Sequence, residues 1–334
     1  MPSLISRRRA ISILAAAAGL PILIGDPRRA RTAAAELFEW RGTAMGAASS
    51  IALYHPDRNA ARALIADCVA EIDRLEDILS LYRPGSALCR LNRVGRLDNP
   101  PLELVELLAE ARTFSLASDG AFDFTVQPLW VLYAGHFGTR GADPNGPAEA
   151  AIAAARARID YRKVGFDTTR VELLGPDMAL TFNGIAQGFV TDKVTALLRA
   201  RGVQHVLVHL DKARAIGPHA DGRPWQVGIA DPTASERSLV TLDVVDQAVG
   251  TSGGYGTVFD PAGRFTHLFV PATGHCAHFN AEVTAVTATA VRADALSTTL
   301  SVVPWERAAA IVKAVGGATV YFVDFENRVT RMTA

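Results

Sequence analysis

The chain of 334 residues holds only three cysteines, Cys68, Cys89 and Cys276. Their number is odd and their spacing suits no metal cluster, so neither a disulfide framework nor a zinc module is expected. The formal net charge is zero, and no basic run lies beyond the N-terminal leader, which argues against nucleic acid as a partner. No internal repeat and no low-complexity linker divides the sequence. It contains no G-x-G-x-x-G and no P-loop, so dinucleotide-binding and NTPase readings are poor. The apolar run over residues 10–24 falls short of the about 20 residues a spanning helix needs.

What is present begins with an address. Ser6, Arg7, Arg8 and Arg9 precede that apolar run, and Ala33-Ala34-Ala35 offers an A-x-A-like cleavage point before Glu36. Residues 1–35 are therefore expected to be an export signal of twin-arginine type, with a periplasmic destination. An uncleaved short anchor is the alternative. Residues 36–334 are expected to form the folded unit, with a soft internal boundary near residue 160. Hydrophobic residues make up 49% and charged residues 20%, so that unit can bury a full core.

Periodicity predicts strands over residues 38–45 and 49–54, with Gly46 at the turn between them. An amphipathic helix follows, its apolar stripe formed by Ala61, Leu64, Ile65, Cys68, Ile72, Leu75, Ile78 and Leu79. Helices are predicted over residues 102–117 and 147–159, and an apolar stretch over 124–132 leads into a Gly-rich loop. Residues 171–174 and 179–182 read as a hairpin turning at Gly175-Pro176-Asp177. A helix over 185–200 and a buried strand over 206–210 come next. Strands are predicted over 226–229, 239–245, 266–270 and 282–288, followed by helices over 290–302 and 304–315 and two closing strands. Strands in runs with helices inserted indicate an α+β fold with mixed, largely antiparallel sheets and packed helices.

Chemistry concentrates in a few places. Asp294 and Thr298 stand four apart in a helix that begins near Ala293, so both oxygens leave one face. A carboxylate with a neutral hydroxyl suits Mg2+, a hard cation that recruits substrate phosphates, and a helix N-terminus favours a nearby pyrophosphate. The other reading is an acid that improves the helix dipole, with Thr298 bonded to its own backbone. As an exposed ligand, Asp294 is expected to add little to the core, so Asp294→Ala should leave the fold largely intact. Residues 181–189 carry a strand through a glycine turn at Gly184 into a helix that can face an anion. Ser252 lies in Gly-Thr-Ser-Gly-Gly, which spells G-x-S-x-G, but no helix is predicted after it, so a strand-to-helix hydrolase elbow is not expected. His267 reads either as a group acting on phosphate oxygens or as a half-buried strand histidine.

In this order the segments resemble the ApbE family of FAD:protein FMN transferases. They include Gly42-Thr43-Ala44-Met45-Gly46, then Leu81-Tyr82-Arg83-Pro84-Gly85-Ser86, then Gly120-Ala121-Phe122-Asp123-Phe124-Thr125. The Asn183–Gly188 turn, Thr251–Tyr255, His267 with Thr273-Gly274, and Ala293–Thr298 complete the series. The resemblance implies an ApbE-like (T-fold-like) architecture and an enzyme that cleaves FAD with Mg2+. It would attach FMN through a phosphoester to a threonine or serine of an exported flavoprotein of a respiratory or redox complex, releasing AMP. Asp294, Thr298 and the Gly184 backbone would hold the metal. Met45, Tyr82, Ala121, Phe122, Asp123, Thr181, Gln187 and Phe269 would line the FAD site, and His267 would be catalytic. Membrane association would come only through an uncleaved leader or the client. The chain departs from the family pattern at Thr181, Gln187 and Val270, and in having Asp211-Lys212-Ala213 where Gly-Gly-Asp is usual. The alternatives are a Mg2+-dependent FAD pyrophosphatase giving FMN and AMP, and a flavin carrier weakened in catalysis.

Overall fold

The computed structural model describes residues 35–232 and 234–333, so the expected leader, apart from Ala35, lies outside the described residues. Strands β1 (Glu36–Ala44) and β2 (Ala47–His55) open the fold, followed by helix α1 (Arg58–Leu79), α2 (Ala87–Val94), β3 (Arg96–Asp98) and α3 (Leu102–Ala117). Then come α4 (Gln127–Phe137), α5 (Glu149–Arg156), β4 (Val164–Phe166), β5 (Arg170–Leu173) and α6 (Ala186–Ala200). The second half contains β6 (Val206–Leu210), β7 (Lys212–Ile216), β8 (Trp225–Asp231), β9 (Ala234–Val244) and β10 (Ala248–Gly253). It closes with β11 (Glu282–Thr287), α7 (Ala290–Ser301), α8 (Trp305–Val315), β12 (Thr319–Val323) and β13 (Val329–Thr333).

The principal sheet has eight strands in the order β1-β2-β6-β7-β10-β11-β12-β13. Every neighbouring pair in it is antiparallel, which places the fold in the expected α+β class. Helix α1 packs on β1 and β2, α6 on β6 and β7, and α7 on β10 and β11. The main core fills the space between sheet and helices, drawing on Ile51, Leu75, Leu107, Val190, Leu296 and Val320. Residues on both sides of position 160 contribute to it. The β8–β9 hairpin covers the opposite face, packing Trp225, Ile229 and Val244 on Ala213, Ala215 and Val249.

Local chemistry accounts for the ends of these elements. Asp57 caps α1 by accepting the Asn59 and Ala60 amides at 2.7 and 3.0 Å, and Cys68 is buried on the helix's inner stripe. Between β1 and β2 the two-residue turn places Met45 at φ 50° and Gly46 at φ 79°, the left-handed pair that matches strand twist.

Two predicted elements are absent as such. Residues 179–182 do not pair with β5, which lies instead between β3 and β4. The Asn92 side chain clamps Leu180 through both its amide groups, at 2.7 and 2.8 Å, and the Thr181 amide donates to the Phe124 carbonyl at 2.9 Å. Those bonds satisfy the backbone that a hairpin would have used. Over residues 266–270 only isolated bridges form, Val258 to Thr266 and Phe269 to Cys276.

Candidate functional site

Side chains alternate across a strand, and in β7 and β10 that alternation is inverted from the usual pattern. Ala213, Ala215 and Val249 face the β8–β9 hairpin, whereas Lys212, Arg214, Gly250 and Ser252 meet α6 and α7. Polar groups therefore line the seam between sheet and helices. The seam is narrow because it is lined by glycine. A Cβ on Gly250 would lie 2.7 Å from the Ala293 carbonyl carbon, and one on Gly188 would overlap the Ala290 carbonyl oxygen. The close approach of α6, β10 and α7 thus depends on those two residues having no side chain.

At this seam α6 and α7 exchange acids. Asp192 of α6 accepts the Ala290 and Val291 amides, at 2.8 and 2.9 Å, in the first turn of α7. Asp294 of α7 accepts the Gly188 amide at 2.9 Å in the first turn of α6. Each carboxylate lies at the positive end of the other helix. The Ala290 and Val291 amides at the N-terminus of α7 are thus taken by Asp192.

The two acids differ in what remains to them. Asp192 also pairs with Arg214. Asp294 keeps Oδ1 free of backbone contacts, and its nearest cation is Lys212 Nζ at 3.7 Å. Asp294 is only 1% exposed, which corrects the expectation of an exposed ligand. Burial pushes its carboxyl up to about 6, against the opposing pull of Lys212 and the Gly188 amide.

Lys212 is itself buried and follows a turn made by Asp211 alone, whose φ is 68°. Its ammonium lies 2.6 Å from Asp211 Oδ2 and 2.9 Å from the Thr251 carbonyl. Burial works against that charge, but Asp294 and Asp211 outweigh it and hold the lysine above its ordinary range.

Hydroxyls complete the centre. Ser252 Oγ lies 3.1 Å from Thr298 Oγ1 and 2.9 Å from Ser297 Oγ. The backbone at Gly184 comes up to the same hydroxyl, since a Cβ there would stand 3.2 Å from Thr298 Oγ1. Asp294, Thr298 and Gly184 are therefore gathered at one place, with Ser252 added. Their atoms are all hard oxygens, the donor set that suits magnesium. Among the described residues, no group of three or more His, Cys, Asp and Glu side chains stands ready for a metal.

The remaining residues singled out by sequence are spread over several elements. Thr181 Oγ1 accepts the Asn183 amide at 3.2 Å, and the Tyr82 hydroxyl reaches the Asn183 side chain. Tyr82 is 74% exposed, the largest exposed apolar surface near this turn. Next to it, Arg83 binds Asp73, Glu76 and Asp77, and Glu76 in turn holds the Met45 amide at 2.5 Å. Gln187, half-buried, is the second residue of α6. Ala121 and Phe122 are buried, the latter against Phe114. Asp123 turns its carboxylate inward to Thr125 at 2.6 Å and to the Tyr161 amide at 3.2 Å. The Phe269 ring packs 5.2 Å from Tyr133 in a separate aromatic cluster with Leu129 and Ile152.

His267 is half-buried, and its Nδ1 lies 3.2 Å from the Thr257 carbonyl. A carbonyl only accepts, so Nδ1 carries the proton and Nε2 presents a lone pair. Burial lowers the ring's pKa from 6.5; the Thr257 contact opposes that shift and the Lys212 charge adds to it. Polar groups of β10 and β11 pair with one another and with the residues just after β10. Tyr255 donates to Glu282, which is buried, and Thr284 lies 2.8 Å from Thr251.

Comparison with known proteins places these features in a family. The pattern of the ApbE family matches residues 45–322. A relative from Klebsiella pneumoniae (strain 342) named FAD:protein FMN transferase is 31% identical over 298 residues, covering 86% of this chain and 84% of its own. One of the same name from Escherichia coli (strain K12) is 29% identical over 329 residues, covering 95% and 92%. The crystal structure of the Pseudomonas stutzeri flavinyl transferase ApbE, in its apo form, superposes with a TM-score of 0.75 at 29% identity. That match covers 89% of this chain and 96% of the other.

Proposed function

This chain belongs to the ApbE family, and on that premise we propose that it transfers FMN from FAD to a hydroxyl of a client flavoprotein, releasing AMP. The observation that carries the reading is Asp294, buried with Oδ1 free of backbone contacts, one helical turn before Thr298, whose hydroxyl meets Ser252. Asp294, Thr298 and the Gly184 carbonyl would hold Mg2+, which when bound supplies positive charge to a diphosphate. Ser252 orients the Thr298 hydroxyl, and the Gly188 amide fixes the Asp294 carboxylate. Met45, Tyr82, Thr181 and Gln187, with the 121–123 turn, would flank the flavin nucleotide.

In the transfer, the client's threonine or serine oxygen bonds to the FMN-side phosphorus as the bond to the AMP oxygen breaks. His267 Nε2 takes the hydroxyl proton, a role open to it because the ring is held neutral. The leader expected over residues 1–35 supports a place of action outside the cytoplasm, with clients among respiratory or redox flavoproteins.

Product analysis tests the reading. With FAD, Mg2+ and an acceptor domain known to be modified by an active transferase, the acceptor should gain the mass of one FMN phosphoester and AMP should appear. EDTA should abolish both. Equal AMP and free FMN without any labelled acceptor would replace transfer by pyrophosphatase activity. Bound, uncleaved FAD would leave a carrier.

A further inference from the structure

Lys212 has no part in the reaction as derived so far, yet it is the cation nearest the proposed metal ligand. Three facts define its position. The Asp294 carboxylate has one oxygen, Oδ2, committed to the Gly188 amide. The other, Oδ1, is the oxygen Lys212 faces at 3.7 Å. A magnesium ion binds carboxylate oxygens at roughly 2.1 Å, so ion and ammonium would compete for the same oxygen. Lys212 also has firmer partners than Asp294, namely Asp211 Oδ2 at 2.6 Å and the Thr251 carbonyl at 2.9 Å. It can give up Asp294 without being stranded.

We propose that Lys212 is a resident counter-cation for Asp294 that makes divalent-metal binding conditional on an anionic diphosphate. In the free protein the ammonium neutralises Asp294 and repels a second cation. When the negative charge of a diphosphate arrives, it offsets the ammonium, and the metal gains Oδ1. The two ligands then bind with positive coupling, and by linkage the metal tightens the nucleotide by the same factor. This rests on the metal reading above.

Mn2+ titration followed by electron paramagnetic resonance tests the inference on the full chain, without using turnover. In the wild type, Mn2+ should bind weakly alone and at least about tenfold more tightly with saturating FAD, a typical size for coupling between sites. Lys212→Met should bind Mn2+ alone about tenfold more tightly than wild type and lose most of the FAD enhancement. Lys212→Arg, which keeps the charge, should behave as wild type. Lys212→Gln gives a second uncharged variant that retains a donor for Thr251, should Lys212→Met fail to fold. Folded, uncharged variants with unchanged or weaker Mn2+ affinity and intact FAD coupling would overturn the role of Lys212 alone. If Mn2+ binding with FAD is absent, or is insensitive to Asp294→Asn, the metal reading falls and this inference with it.

Discussion

The N-termini of α6 and α7 are built alike and used differently. Each receives a carboxylate from the other helix, Asp294 into α6 and Asp192 into α7. Asp192 accepts two backbone amides and a close arginine, so most of its hydrogen-bonding capacity is spent on the fold. Asp294 accepts one amide and faces a lysine at 3.7 Å, leaving an oxygen for a ligand. Function at this seam follows from incomplete satisfaction. Burial alone does not separate the two, since it pushes both carboxyls upward.

Substitutions can break that comparison from either side. The largest effect is expected for Asp294→Asn, which keeps the volume and a carbonyl oxygen but removes the charge. Flavin transfer should fall by more than the roughly 10–100-fold that supporting residues of a metal site cost, with secondary structure by circular dichroism unchanged. Asp294→Ala is a poorer test, because it would leave the Gly188 amide and Lys212 without their partner. Asp192→Ala should do the reverse. It breaks a charge pair and two helix-capping bonds, so a loss of about 3 kcal/mol is expected in urea unfolding. The folded fraction should retain its metal affinity.

Gly188→Ala sharpens the point that the seam is set by backbone contact. Its methyl would meet the Ala290 carbonyl, a rigid neighbour, and should cost about 2 kcal/mol as overpacking. It should also reduce transfer by moving Asp294, whose Cβ lies 2.8 Å from the added atom. The smallest effect concerns His267, whose titration followed by NMR should have its midpoint below 6.5. The sign follows from the depressed folded value. Stability contributed by the neutral ring is complete above pH 6.5 and is lost as pH falls towards the folded pKa. A midpoint above 6.5 would contradict the lowering that burial imposes on the ring.

Much of this was legible in the sequence where one periodicity ruled a segment. Helix α1 shows its inner stripe from Ala61 to Leu79. Strands β7 and β10 escaped because four of their helix-facing positions, Lys212, Arg214, Gly250 and Ser252, are polar or glycine, which breaks the apolar alternation. Helix α4 is apolar around much of its circumference, and its period was hidden. The hairpin read into residues 171–182 failed because Asn92, distant in sequence, takes the backbone of Leu180.

The site divides the same way. Asp294 and Thr298 were visible from their spacing along one helix, and Gly184 from the strand-to-helix turn and the family resemblance. The pairing of Asp294 with Gly188 and Lys212 was not, because it spans three separate elements. A lysine in a strand reads as surface. The one available signal was that Asp211-Lys212 interrupts a stretch where the family pattern has glycine.

The most direct test of the account is to locate the ion. Crystals grown with FAD and Mn2+ should give a single anomalous peak bonded to Asp294 Oδ1 and Thr298 Oγ1. An ion bound elsewhere, or flavin bound at the seam with no ion at all, would contradict it.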